Sequence, residues 1–407
     1  MRVKDILWYT ILWPTSLYTT YFFPTFALNK EQIMKKSFIY GVSVSGENFT
    51  DRVQETQRLK MDFENGQNVI LISPRRMGKT SLVKKVQSLV NGKSIKVIYM
   101  DIYDCRSEYD FYNKFATTIL KEASGKLDLF MENVKNFLVR LSPKVSFSPD
   151  PTMDYSVSLG ITPQNYSPEE ILNLPEQIAQ KQNIHMVVCI DEFQQIGELQ
   201  DSLNVQKRMR SIWQLQQHTS YCLFGSKKHL LANLFQNKRM PFFHFGDTLY
   251  LQPIPTADWV PFICKKFTEK GKNISEEFAG QICTLVSNHS SYVQQLSWNV
   301  LVNTEKEVTE EILHQGTEEL LAQSSPLFIQ QIQGLTTYQM NFIRCLAQGN
   351  RKDFASKEIL ESYNLGSKSN ISRLKMSLIE KEIIEEEKGE IYLSDPIFEL
   401  WFKKEYM

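Results

Sequence analysis

Five short runs dominated by apolar residues punctuate the chain: Val69 to Ile72, Lys96 to Ile102, His185 to Ile190, Tyr221 to Phe224 and Thr248 to Ile254. Runs of this length, closed by Ser, Pro, Gly or Asp, predict buried strands. Between them the apolar positions recur at helical spacing. Phe49-Thr50-Asp51-Arg52 followed by Glu55 predicts a helix to about Phe63, with Thr50 or Asp51 as its cap. Further helices are predicted after Gly78, over Glu108 to Leu141 in two pieces around Ser124-Gly125, over Pro168 to Gln182 and over Gln206 to Gln217. Pro143 to Tyr166, rich in Ser, Pro and Asp with short alternating runs, reads as a hairpin insertion. Strands that alternate with helices predict a parallel sheet covered on both faces.

After Pro255 the pattern becomes helical only, over Ala257 to Lys270, Ser275 to Ser287, Tyr292 to Asn303 and Thr309 to Ser324. A separate unit starts at Leu335. Its three helices, Tyr338 to Gln348, Ser356 to Tyr363 and Ser369 to Lys381, precede a strand-turn-strand around EEEKGEIYL, which is the order of a winged helix-turn-helix.

The first strand carries the chemistry. It breaks at Ser73-Pro74, and the loop Ser73-Pro74-Arg75-Arg76-Met77-Gly78 runs into Lys79-Thr80-Ser81 at a helix start. Strand, loop, GK[ST] and helix is the order of a phosphate-cradling P-loop, although Ser73 stands where glycine is usual. Backbone N–H groups and the positive helix end would face phosphates, and Gly78 lets the backbone come close. Lys79 would reach the β- and γ-phosphates, and the Thr80 hydroxyl would ligate Mg²⁺. A second carboxylate-bearing strand end is then required. His185 to Ile190 runs into Asp191-Glu192, so Asp191 is placed for the metal and Glu192 for polarising a water. Ser226, just past the fourth strand, either senses the γ-phosphate and orients the water or simply caps the next helix.

Composition changes this picture little. Among 407 residues, 46 basic side chains balance 46 acidic ones, so no global field draws the chain to nucleic acid or to an anionic membrane. Six scattered cysteines without a CxxC pair point to reduced thiols and a cytoplasmic protein, and the scattered histidines form no metal-ligand cluster. Residues 1–34 stand apart. Ile6 to Leu28 is a 23-residue uncharged stretch, long enough for a membrane span but interrupted by Pro14 and Pro24 and rich in Thr and Tyr. It is read as a leader or disordered extension or as a membrane anchor, with Met34 an alternative start.

Together, SPRRMGKTSL, IDEFQ, FGSKKHLL, PFFHF and LSDPIFELWF resemble the archaeal-type P-loop ATPase family of the AAA+ and STAND kind, over about Phe38 to Phe402. The resemblance implies an α/β fold: an AAA+-like P-loop core over 35–255, a helical lid over 256–334 and a winged helix over 335–407. It implies ATP and Mg²⁺ as cofactors and hydrolysis of ATP. It also implies roles for Ser73 to Ser81 as phosphate loop, Thr80 and Asp191 as metal ligands, Glu192 as catalytic glutamate and Ser226 as sensor. Arg239 falls where related proteins keep an arginine finger for a neighbouring subunit, though an arginine in such a loop is also commonly just solvated. The lid segment Asn288-His289-Ser290-Ser291-Tyr292 lacks both the proline found in relatives and an arginine that could act as a second sensor.

Three functions follow: an ATP-hydrolysing switch, a DNA-binding protein under ATP control, or a nucleotide-binding scaffold with little hydrolysis. Lys368, Arg373 and Lys375 on the third helix of the winged unit suit phosphate contact, and the hairpin EEEKGE opposes it. Residues 335–407 carry 11 basic and 12 acidic side chains, so a protein partner suits this unit as well as weak DNA contact does.

Overall fold

The computed structural model describes residues 37–124 and 167–407. The N-terminal extension, the second piece of the Glu108 to Leu141 helix and the hairpin insertion lie outside the described residues.

Five strands, β1 (Val69–Ile72), β2 (Ile95–Asp101), β3 (His185–Asp191), β4 (Thr219–Gly225) and β5 (Asp247–Tyr250), form one parallel sheet in the spatial order β2-β3-β4-β1-β5. Period-two alternation decides which residue faces which layer. Ile70, Ile98, Val188 and Leu223 enter one core, whereas Val69, Val97, Val187 and Cys222 enter the other. The first core is covered by α3 (Glu108–Ser124), α4 (Pro168–Gln182), α5 (Ser202–Trp213) and α6 (Lys228–Gln236). The second is covered by α1 (Val53–Glu64) and α2 (Lys79–Val90). Because all strands run one way, the loops after β1, β3 and β4 share one edge. β4, not β2, fills the place between β1 and β3, which puts Ser226 between the phosphate loop and Asp191.

The α1 cap differs from expectation. Neither Thr50 nor Asp51 caps the helix; Arg52 does, in the left-handed region at φ 64° and without a side-chain cap bond. Its guanidinium turns inward instead, donating to the Met77 carbonyl at 3.0 Å and the Gln252 carbonyl at 2.5 Å, and pairing with Glu55. Three acceptors for one buried cation offset the strained backbone. α5 also starts and ends earlier than predicted, and β5 stops at Tyr250, before the proline-rich Pro253-Ile254-Pro255.

Four helices follow: α7 (Thr256–Thr268), α8 (Glu276–Leu285), α9 (Ser290–Asn303) and α10 (Glu310–Gln333). The last continues nine residues past the predicted end at Ser324, through Pro326. Proline forfeits one helical bond there. Packing compensates: the Phe328 ring lies 5.4 Å from Phe398 and 5.5 Å from Trp401, and Trp401 Nε1 donates to Ser325 Oγ at 3.0 Å. The winged unit comprises α11 (Thr337–Ala347), α12 (Lys357–Ser362), α13 (Lys368–Glu380) and the antiparallel pair β6 (Ile384–Glu387) and β7 (Glu390–Leu393). A further helix, α14 (Pro396–Tyr406), was not anticipated. Its signal is present in Ser394-Asp395-Pro396: Asp395 Oδ1 accepts from the N–H groups of Ile397 and Phe398, and proline occupies the first turn. Helices α7 to α14 share a single hydrophobic core, to which Phe38 and Ile254 also contribute.

Candidate nucleotide site

The loop after β1 closes on its own lysine. Gly78 caps α2 at φ 89°, which an L side chain would resist, and Arg76 is also left-handed at φ 59°. Lys79 is buried, and its ammonium donates to the carbonyls of Ser73 at 3.1 Å and Pro74 at 2.7 Å. Burial pushes Lys79 down to about 8, with Asp191 and Glu192 opposing the shift. Ser81 Oγ accepts from the Val44 N–H at 2.9 Å, and Met77 is buried. Arg75 and Arg76 are exposed.

Thr80 Oγ1 donates to Asp191 Oδ2 at 2.8 Å, joining the loop to the end of β3 across the intervening β4. Tyr99 on β2 donates to the same oxygen at 3.0 Å, and the Glu192 N–H reaches Oδ1 at 2.9 Å. Burial still raises the Asp191 carboxyl above its usual range, against these bonds. Glu192 sits in the left-handed region at φ 55°. Its Oε2 accepts from Ser226 Oγ at 2.9 Å, the Ser226 N–H at 3.4 Å and Gln194 Nε2. Ser226 therefore meets Glu192 directly and does not cap α6, whose cap is Lys227 with no side-chain bond. Gly225 makes this approach sterically possible: a Cβ there would lie 1.9 Å from Gln194 Oε1 and 3.2 Å from Glu192 Cα.

All nine loop residues, Asp191, Glu192 and Ser226 were singled out by motif; Ser81 turns to Val44, and the others share this edge of the sheet. Arg239 does not join them. It is exposed in the turn between α6 and β5, its N–H bonded to Asn237 Oδ1, and it makes no ion pair among the described residues. Arg52, Tyr99, Gln194 and His289, whose Nε2 donates to the Arg75 carbonyl at 3.1 Å, were missed. Only Gln194 had a sequence signal, two residues beyond Glu192 in IDEFQ.

Beside the loop, a cavity of about 50 Å³ is bordered by Phe49, Met77, Gly78, Ile254 and Trp259. Three polar atoms on its lining residues, Asn48 Oδ1, Trp259 Nε1 and Ser290 Oγ, are buried without a partner among the described residues. Orphaned polar atoms are rare in folded proteins, and three on the lining of one small cavity give it a polar wall beside the loop. A larger cavity of about 150 Å³, near Phe235 and Phe243, is lined by none of the phosphate-loop residues nor by Asp191, Glu192 or Ser226.

A five-stranded parallel sheet with this loop after β1 and an acidic end on β3 defines a P-loop ATPase fold, here joined to a winged helix. The family described as an ATPase domain predominantly from Archaea matches residues 49–278, more than half of the chain, and the chain belongs to that family. A probable winged helix domain matches residues 326–404. A Walker-type ATPase of Pyrococcus abyssi superposes with a TM-score of 0.64 at 16% identity, covering 90% of this chain and 100% of that one. The ORC2 protein of Aeropyrum pernix, solved in ADPNP–ADP complexes, gives 0.52 at 14% identity, covering 88% and 95%. At such identities the likeness speaks for the fold alone. No curated protein matches the chain. Among the described residues, no helix is long and apolar enough to cross a membrane, and all six cysteines are free.

Proposed function

We propose that the chain binds ATP with Mg²⁺, hydrolyses it, and works as a molecular switch whose lid and winged helix respond to the nucleotide. The observation that carries this reading is the convergence of Lys79, the Thr80–Asp191 bond and the Glu192–Ser226 bond on one sheet edge. Lys79 would exchange the Ser73 and Pro74 carbonyls for phosphate oxygens, which return a negative charge to a buried cation. A hydroxyl and one carboxylate suit Mg²⁺, an ion that keeps several waters and takes the rest of its ligands from phosphates. When bound there, Mg²⁺ neutralises charge that develops on the phosphoryl oxygens. Among the described residues the hydrogen bonds to the Glu192 carboxylate fall on Oε2, so Oε1 is the atom offered to a water. Arg239, exposed and without an ion pair among the described residues, is available to a neighbouring subunit.

Equilibrium binding and steady-state hydrolysis test this. Lys79→Ala should weaken ATP binding by roughly 30- to 150-fold, since a charge-assisted contact of roughly 2–3 kcal/mol is lost. Glu192→Gln should retain binding and lose about 10²–10⁴-fold in turnover. Hydrolysis by Glu192→Gln at the parent rate would remove the catalytic assignment. Turnover per subunit that is independent of protein concentration would remove Arg239.

A second reading, DNA contact, rests on α13, where Lys368 and Arg373 are exposed and make no ion pair among the described residues. Lys375 is engaged, its ammonium 5.3 Å over the Phe354 ring. Two available cations predict a log-affinity slope against log salt near −1.8, at about −0.9 per phosphate contact. Tight binding in about 150 mM salt that is weakened by Arg373→Ala would favour DNA as partner.

A further inference from the structure

Three donors meet the Asp191 carboxylate and leave it one free acceptor position. An ionised carboxylate carries about four such positions, two on each oxygen. On Oδ2 both are taken, by the Thr80 hydroxyl at 2.8 Å and the Tyr99 hydroxyl at 3.0 Å. On Oδ1 the Glu192 N–H takes one, at 2.9 Å. Among the described residues no other donor reaches this carboxylate, so what remains to it lies on Oδ1 alone. Thr80 and Glu192 belong to the two motifs that build the site, but Tyr99 comes from outside them. It stands opposite Cys189 in the β2–β3 register, with Asp191 two residues further along β3 and therefore on the same face of the sheet. Its half-buried ring is flanked by Phe224 on β4, with ring centres 6.4 Å apart, and by Lys84 on α2, whose ammonium lies 5.2 Å from the ring centre. The neighbouring strand and the first turns of α2 thus aim one phenol at one carboxylate oxygen.

We propose that Tyr99 is a positioning residue that limits Asp191 to the use of a single oxygen and thereby makes the site prefer Mg²⁺ to Ca²⁺. This rests on the reading of Thr80 and Asp191 as metal ligands and adds the choice of ion. The two ions ask different things of a carboxylate. Ca²⁺ takes about 6–8 oxygens in a loose shell and often both oxygens of one carboxylate, whereas Mg²⁺ demands near-octahedral order, which a single fixed oxygen suits. With Oδ2 closed by two hydroxyls, a two-oxygen grip is excluded, and the Glu192 N–H holds the remaining oxygen in place. Loss of the Tyr99 hydroxyl reopens Oδ2 and loosens the carboxylate. Donors that orient a metal ligand in this way commonly set metal affinity by about 10–100-fold.

The test uses the full chain and a fluorescent, non-hydrolysable ATP analogue, titrated with Mg²⁺ and separately with Ca²⁺. The unmodified protein is compared with Tyr99→Phe, which keeps the ring and deletes only the hydroxyl. The quantity read is the concentration of each ion that gives half of its full enhancement of analogue binding. In Tyr99→Phe the Mg²⁺ value should rise about 10-fold or more while the Ca²⁺ value stays within about twofold or falls, so the preference for Mg²⁺ shrinks by about 10-fold. Analogue affinity in a chelator, with neither ion present, should be unchanged, because it draws on Lys79 and not on Asp191. A Mg²⁺-to-Ca²⁺ ratio that stays within about twofold of the parent value overturns the proposal. So does an affinity in chelator that falls with the Mg²⁺ response, since that marks a purely structural role. Analogue binding that neither ion improves in the unmodified protein removes Thr80 and Asp191 as ligands, and no analogue binding at all removes the phosphate-site reading; either result takes the role of Tyr99 with it.

Discussion

At the scale of single residues, the site depends on close approach more than on charge. Glu192 is held by a strand end that has room for it only because residue 225 has no side chain. Gln194, 2% exposed, has nowhere to swing if that room is filled. Gly225→Ala should therefore displace the Gln194 amide and with it Glu192. Misplacement of a catalytic group by about 1 Å costs on the order of 10²-fold in rate. We expect that loss in steady-state hydrolysis while analogue affinity stays within about twofold, because Lys79 and Thr80 lie on another strand's loop. Equal losses in both quantities would show that the whole edge had collapsed.

At the scale of elements, Glu176 ties α4 to the approach of β4. Its carboxylate accepts from the N–H groups of Gln217 and His218, from His218 Nδ1 at 2.9 Å and from Gln180 Nε2 at 3.0 Å. Burial pushes this carboxyl up, but the bonds outweigh it and hold it below its usual value of 4.5. A carboxyl depressed in the folded state stabilises fully above its unfolded value and loses that contribution as pH falls through the folded one. Thermal melts should accordingly show stability falling below about pH 4.5, with a shallower fall in Glu176→Gln; parallel curves would mean the group is not depressed. The strands and the phosphate loop were legible because each rests on contiguous residues: VILI, GKT and CIDE carry their own period and turn chemistry. Arg52 was not legible, since its partners Met77 and Gln252 lie far along the chain and its left-handed backbone belongs to a residue type that rarely adopts it. The continuation of α10 through Pro326 was hidden for a related reason: local propensity says stop, and the contacts that overrule it come from Phe398 and Trp401.

At the scale of the molecule, sequence pattern suggests a break at Leu335, but apolar packing crosses it. Trp401, 2% exposed, should act as a keystone for both sides. Trp401→Ala should cost roughly 3–5 kcal/mol. Hydrogen exchange should then quicken in α9 and α10 as well as in α11 and α14, leaving β1, β3 and β4 protected. Faster exchange confined to α11 and α14 would show that lid and winged helix unfold separately. The charges of the acidic hairpin were read from sequence as a hindrance to DNA, and charge alone did not reveal that Lys228 would meet two of them and Arg75 the nearby Glu382.

Helix α10 has a mechanical consequence. Its 24 residues make a rod of about 36 Å, at about 1.5 Å per residue, with one end among the lid helices and the other against α14. A rod turns angles into distances. A tilt of about 5° at the lid end carries the far end by about 3 Å, which is comparable to the length of a hydrogen bond. Movements at the phosphate loop too small to break any contact there would reach the wing large enough to break every one.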